Sequence, residues 1–567
     1  MDNRKGFALV ATLLVMMLIT VIVAASVTGA AGALRASELD YRNSKVFYAA
    51  EAGAEAIMSQ LHEALEDAAL DSIELASVTP PSLPGYSFDG FSVKKVGGVV
   101  VERVTDGAFA GLYSLTQRVE IYSDVTDQNL NNSAIVVSAK AQAIPIFQFG
   151  VFYEQDLEVT NGPAMEFAGW VHSNGNIYAS SNNAWYRDAI TTPNMLIHDR
   201  KDENNVLNGV YINDASGNEV RLDFDSRTIP DPAAFRAESD AKFDNRVKTN
   251  AYGVDSLSVP LPTGMPPIVI MQPRQAGDPS QVKKAKFAWK ADWYVEVDLN
   301  TLNNGGTNLC QSMTSARDAG EALPTNAECQ NIFAWQWEAF YEGREGRMAD
   351  VFQVDMAQLF AWVAGSVASR ETRIFYVTFK GGLGYDPSGD GLYPILRLVN
   401  GANLLNPITV ATDHPFYIQG DYNTGVWQPS AMVGDAVNLL SNAWTDADHA
   451  GPGLTNAANT AYNIAILAGH SATACDWFLC GTNPYGGGLE NYPRFLERWN
   501  GRTAKYRGSL VSLSTSVMAT APWSYGIYYE APNRDWMFDT RFEDPAKLPP
   551  GTPVVGNVIQ TAFRPAY

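Results

Sequence analysis

Hydrophobic and polar positions follow three different rhythms along the chain. From Phe7 to Ala33, FALVATLLVMMLITVIVAASVTGAAGA, a run of 27 residues carries no charged side chain, whereas about 20 suffice to cross a bilayer as a helix. Arg4 and Lys5 precede it, which predicts a cytoplasmic amino terminus. The run is longer than the ~7–15-residue apolar core of a secretory signal peptide. Small residues follow it, as at a cleavage site, but the helical pattern does not stop there. No proline occurs before Pro80, and Val46, Ala50, Gly53, Ile57, Leu61 and Leu65 recur at three- or four-residue spacing as one apolar stripe. Arg42, Lys45, Glu51, Glu55 and Glu63 fall mostly off that stripe. The pattern predicts one retained helix of about 60 residues, roughly 90 Å long, whose outer half must pack on something.

PSLPG at 81–85 ends that rhythm, and a period of two replaces it in FSVKKVGGVVVERV, QRVEIYSDV and AIVVSAKAQAI, the pattern of half-buried strands. After FQFG at 147–150 come short strands split by Gly and Asn-Gly: FGVFYE, LEVTNG, MEFAG and WVHSNGNIYAS. Similar texture returns in HPFYIQGDYNTG, SAMVGDAVNLLSNAW, YNIAILAGH and YRGSLVSLSTS. Runs such as FYI, IAIL and SLVSL are apolar on consecutive positions, as in strands buried by rungs above and below. Between these stretches ADVFQVDMAQLFAWVAGS reads as one amphipathic helix and TRIFYVTF as a strand. The fold class is therefore α+β: a long N-terminal transmembrane helix and a large β-rich head that includes parallel β-solenoid-like rungs.

Charge narrows the partners. The 567 residues hold 40 Lys and Arg against 61 Asp and Glu, a net charge of −21, and that field repels phosphate backbones. No nucleic-acid partner and no polybasic membrane patch is predicted. The four cysteines form two local pairs, Cys310 with Cys329 and Cys475 with Cys480. In a chain with an export segment they are candidates for two disulfides, since neither pair has the CxxC-type spacing of a zinc site.

Candidate chemistry is sparse. His172 in VHSNGN lacks a neighbouring nucleophile and orienting group, and Asn174-Gly175 explains the stretch as a hairpin or rung corner. Asp413, His414 and Asp421 flank a strand at irregular spacing for a metal, and Ser509 lacks the G-x-S-x-G elbow of a serine hydrolase. The oxygen-rich loops DVTDQNLNN and DPSGDG make Asp124, Asp127, Asp386 and Asp390 weak calcium candidates, without EF-hand spacing. Plain Asx turns account for the same residues. No cofactor is otherwise expected, and no P-loop or Rossmann glycine pattern occurs. Aromatic clusters in NIFAWQWEAFYEG and APWSYGIYYEAP are of the kind that surfaces use to bind partners.

RKG followed by FALV, the apolar helix and YAAEAGAEA resemble the amino terminus of type IV pilins, and within them the minor pilins of the PilX type. The likeness covers residues 1 to about 66. GWVHSNGNIY, FYIQGDYNTG, FLERWNGRTAKYRGSLV and PGTPVV are also similar to stretches of large proteins with such leaders, none of which supplies an active site. The resemblance implies that a prepilin peptidase cuts between Gly6 and Phe7 and that Phe7 is N-methylated. It implies a single-pass inner-membrane protein that later enters an extracellular pilus, with other pilins as partners and a surface receptor or tip adhesin as a further one. Major pilins carry a glutamate as the fifth mature residue, where this chain has Ala11. A terminal ammonium buried without that partner is costly, so a rare subunit near the tip fits better than a repeating one. Gly29 and Gly32 mark where the helix would melt most easily.

The expected organisation is a leader at 1–6, the pilin-type helix at 7–70, a pilin-like β region at 85–146, and a first head part at 147–300. A Cys-containing insert at 301–400 and a second head part at 401–567 complete it. No enzyme activity is expected. A large pseudopilin of a type II secretion system is the alternative reading. A membrane-anchored β-solenoid enzyme would instead need paired carboxylates on one strand face.

Overall fold

In the computed structural model, a single helix, α1 (Arg4–Glu63), runs for 60 residues. The structure describes residues 4–65, 70, 75–105, 107–203, 205–303, 309–317, 322–365, 372–381, 391–473, 485–523 and 528–566. The apolar stripe governs how α1 docks: Val46, Ala50, Ala54, Ile57 and Leu61 are buried against Val119, Ile121, Val125, Ile135 and Val137. These last residues belong to an antiparallel sheet of four strands in the order Tyr86–Arg103, Tyr113–Asp127, Asn132–Pro145 and Val554–Ala566. Helix and sheet approach closely at Gly53, where a Cβ would lie 2.4 Å from Ser123 Oγ and 2.5 Å from Phe88 Cε1.

The chain's last strand thus completes the sheet that its first strands begin, rather than remaining with the head stretch it follows. Val554 sits opposite Pro145 and Ala566 opposite Ala134. The head leaves from Pro145 and returns at Val554, and Ile146 N–H donates to the Pro553 carbonyl at 2.9 Å.

The head is built from stacked parallel ladders. Among the described residues the longest has 11 strands, in spatial order Val247–Lys248, Ile190–Thr191, Trp170–Ser173, Phe149–Tyr153, Leu510–Ser512, Ala465–Ala468, Ser430–Gly434, Ile408–Thr412, Ile374–Lys380, Trp293–Asp298 and Met313–Arg317. All its pairings are parallel except the last. One column of facing residues runs Val247, Ile190, Val171, Val151, Leu510, Ile466, Met432, Val410, Phe375 and Trp293, all within a single buried core. The next column, with Phe152, Val511, Leu467, Val433, Ala411, Tyr376 and Tyr294, faces the other way and is covered by Phe147, Leu257, Ile270 and Phe287. Burial on both faces explains why these strands are apolar on consecutive positions.

Shorter parallel ladders close the other sides. Leu157–Val159, Ile177–Ala179 and Leu196–Ile197 form one, and Met165–Phe167, Ser181–Tyr186 and Asn208–Asn213 form another. In the second stretch, Arg347–Asp355, Pro394–Val399, Phe416–Gln419, Val437–Leu440 and Pro493–Arg494 stack likewise, as do Thr460–Asn463, Thr503–Gly508 and Asn533–Phe538.

Two expectations change. ADVFQVD is a strand, not the start of a helix, because Val351, Phe352 and Val354 register with Ile395, Leu396 and Leu398. The helix begins at Met356, where the Asp355 carboxylate accepts the Gln358 N–H at 3.0 Å, an N-cap. Residues 301–400 supply strands to two ladders, including Ile374–Lys380 of the longest one, so they are part of the stack rather than an insert into it. Asn174-Gly175 turns the chain from Trp170–Ser173 into Ile177–Ala179, strands of different sheets. It is a corner between faces, and a Cβ at Gly175 would meet Asp156 N at 2.4 Å.

Candidate functional site

The first half of α1 touches nothing else in the described structure. An 18-residue window reaches a mean hydropathy of 2.9 and is 0% buried. Large apolar side chains from Phe7 (77% exposed) to Leu34 (72%) stand free, including Leu13, Met16, Met17, Ile19 and Val23. At about 1.5–3 kcal/mol for each such side chain moved out of water, leaving them all hydrated costs more than the ~5–15 kcal/mol that holds a domain folded.

The polar side chains in this segment are satisfied within the helix. Thr12 Oγ1 donates to the Ala8 carbonyl at 2.9 Å, Thr20 to Met16 at 2.7 Å, Ser26 to Ile22 at 2.8 Å and Thr28 to Ala24 at 2.9 Å. Hydroxyls bonded this way need no water, which is what hydrocarbon surroundings require. Past Leu34 the character changes: Arg42 pairs with Glu38, and the Lys45 ammonium lies 4.5 Å from the centre of the Tyr41 ring. Tyr41 and Tyr48 are exposed, an aromatic and charged collar of the kind found at membrane–water boundaries. The helix therefore has an apolar rod, a polar collar and a docked outer part, in that order.

The residues singled out from sequence as chemical candidates are spent on the fold. His172 lies in the outward column of the longest ladder between Phe152 and Thr191. Its Nδ1 is 2.8 Å from Thr191 Oγ1 and its Nε2 is 3.0 Å from Asn174 Oδ1, and Phe109, Phe149 and Phe152 surround the ring. Burial pushes its pKa down to about 4. Ser509 Oγ donates to the Phe149 carbonyl at 2.6 Å. His414 Nδ1 meets Asp413 at 2.9 Å, whereas Asp421 accepts the Ala461 N–H at 2.8 Å. Among the described residues no three His, Cys, Asp or Glu side chains form a group suited to a metal.

Asp127 closes a turn by accepting the N–H groups of Asn129 and Asn131 at 2.8 and 2.9 Å, with the Asn131 amide at 2.7 Å. Those bonds, the Asn131 amide first, hold its carboxyl below the usual range. Asp124 accepts from Tyr122 and Asn132. Asp386, Asp390, Cys475 and Cys480 lie outside the described residues. Cys310 and Cys329 are bonded, with Cα atoms 6.1 Å apart. Of the aromatic clusters, Trp337 is exposed on the edge strand Phe333–Glu342 and packs edge-on against Trp335 with centroids 5.0 Å apart.

A long helix with a bare apolar half, docked by its outer half on an antiparallel sheet, is the arrangement the pilin-like sequence features predict. Residues 5–55 match the family model described as PilX N-terminal, so the chain carries a PilX-type pilin N-terminal segment ahead of its β-rich head. No curated protein matches the chain. Among solved structures the crystal structure of the competence-associated pilin ComZ from Thermus thermophilus is similar at 11% sequence identity, over 93% of this chain and 98% of that chain. Its TM-score is 0.20, too low for the likeness to bear on function.

Proposed function

We propose that the protein is a minor pilin, held first in the inner membrane by α1 and then built through the same helix into a type IV pilus. It acts at or near the tip, in priming assembly or in contact with a surface. The observation that carries this reading is the bare apolar half of α1 projecting from a folded head. Lipid covers such a rod before assembly, and the helices of neighbouring subunits cover it afterwards. The implied processing point, between Gly6 and Phe7, stands at the very beginning of the rod, and a prepilin peptidase is its expected partner.

Ala11 supports the rare position. Lacking a carboxylate five residues into the mature chain, the subunit has no acidic side chain there to receive a neighbour's terminal ammonium, whose unpaired burial costs several kcal/mol. Sheared filaments analysed by mass spectrometry test the proposal. The expected result is N-methylated Phe7 as the first residue, the protein in trace amounts relative to the major subunit, and a higher copy number in Ala11→Glu. An intact Met1, a start near Ala33, or loss of a secreted enzyme with unaltered filaments on deletion would refute it.

A further inference from the structure

The first and second β stretches meet at the seam where Leu510–Ser512 pairs with Phe149–Tyr153. Just past that seam, residues 516–523 form a strap that joins none of the ladders. Its backbone is held by ionic side chains instead. The Asp435 carboxylate accepts the N–H groups of Val517, Met518 and Ala519, the last two at 3.0 and 2.8 Å. Glu345 accepts the Ala521 N–H at 3.1 Å. Arg494 Nη2 donates to the Ala519 carbonyl, and Arg344 Nε donates to the Ala521 carbonyl at 3.1 Å.

Carboxylates thus take the strap's N–H groups and guanidiniums take its carbonyls, all through charge-assisted bonds. The four side chains are fixed from behind. Arg494 Nη1 meets Glu345 at 2.7 Å, and Arg494 and Arg344 both donate to Ser471 Oγ, at 3.0 and 3.1 Å. Asp435, Arg344 and Arg494 are buried, and each stands in a strand or turn of the stacked ladders. The strap itself buries little: of residues 516–522 only Ala519 is buried, and Val517 is 59% exposed.

A row of fixed groups that bonds N–H and C=O alternately recognises extended backbone, as a sheet edge does for an added strand. Every one of these bonds goes to the main chain, so Ala519 sets the one side-chain requirement. We propose that Asp435, Glu345, Arg344 and Arg494 form a peptide-binding track and that residues 517–521 are its resident occupant. The strap lifts as a unit while the ladders stay folded, because little apolar area holds it down. The vacated track then takes an extended segment of a partner protein with a small residue in the place of Ala519. This goes beyond the pilus reading and does not depend on it.

The first test is native-state hydrogen exchange on the full chain in lipid nanodiscs. The amides of Val517, Met518, Ala519 and Ala521 should exchange together, roughly 100-fold faster than those of Ser430–Gly434 and with a shallower denaturant dependence. Exchange of these four only through global unfolding would overturn the proposal, whether or not any variant folds. The second test uses Ala519→Leu, which lifts the strap, and a fluorescent synthetic peptide of residues 515–523. Saturable binding of that peptide is expected. The Ala519→Leu form of the peptide should not bind, and Glu345→Gln in the protein should weaken binding about tenfold or more. No binding up to about 1 mM, equal binding of both peptides, or indifference to Glu345→Gln would also overturn it.

Discussion

Ser509 and Phe149 stand 360 residues apart in sequence, and the hydroxyl of one donates to the carbonyl of the other at 2.6 Å inside the head. The bond fastens the end of the second β stretch to the beginning of the first. The head therefore unfolds as one unit, and Ser509→Ala lowers its stability by about 1–3 kcal/mol because it strands a buried carbonyl. Denaturant titration followed by tryptophan fluorescence should show a single shifted transition; two separate transitions would contradict the shared seam.

Ile57 is fully buried between α1 and the antiparallel sheet. Ile57→Ala should cost about 2–5 kcal/mol of docking. Gly53→Leu should be worse, given how near Phe88 and Ser123 stand. Limited proteolysis reads the result: the outer part of α1 becomes cleavable while the head remains resistant.

Glu158 gives the head a dependence on pH. Burial pushes its carboxyl up to about 7, against a hydrogen bond from Thr473 that favours the ionised form. The folded state therefore holds a proton that the unfolded chain releases near its ordinary value of 4.5, so stability falls as pH rises from about 4.5 to about 7. His172 works in the opposite sense, since its lowered pKa weakens the fold as pH falls from about 6.5 towards 4. The difference between wild type and Glu158→Gln isolates the carboxyl. It should shrink across that window, and a flat difference would remove Glu158 as the cause.

The bond between Cys310 and Cys329, 19 positions apart, joins the turn before strand Met313–Arg317 to the helix Asn326–Ile332. Replacing both cysteines by serine should cost about 3 kcal/mol if loop entropy dominates. Hydrogen exchange should rise first in Met313–Arg317, the terminal strand of the longest ladder; loss spread evenly over the head would point to a different role.

Much of this architecture can be read from sequence wherever a pattern is local. The stripe from Val46 to Leu65 dictates α1 and its docked face, and alternation dictates the strands between Tyr86 and Pro145. ADVFQVD misleads because seven residues with Val351, Phe352 and Val354 satisfy both a helical and a buried-strand pattern. Partners are another matter. VVGNVIQTAFRPA alternates like a strand, yet nothing in it says that it lies against Asn132–Pro145.

The seam is hidden for the same reason. The ladder starts in its own middle at Phe149–Tyr153, grows to Val247–Lys248, resumes at the far end with Trp293–Asp298 and closes back at Leu510–Ser512. A stack laid down in that order has no repeating interval to detect. Thr160 Oγ1 reaches the Glu490 carboxylate at 2.9 Å only because that closure happens.

The return of the chain to the sheet at Val554, opposite its departure at Pro145, fixes how the molecule carries load. The whole head hangs from two covalent threads that leave neighbouring strands side by side. A pull on the head is shared between them as shear along a long antiparallel pairing, not peeled from one free end. Twisting about a single tether is blocked as well. The small helix-and-sheet unit thus stays whole while what it carries is enlarged or exchanged as a cassette.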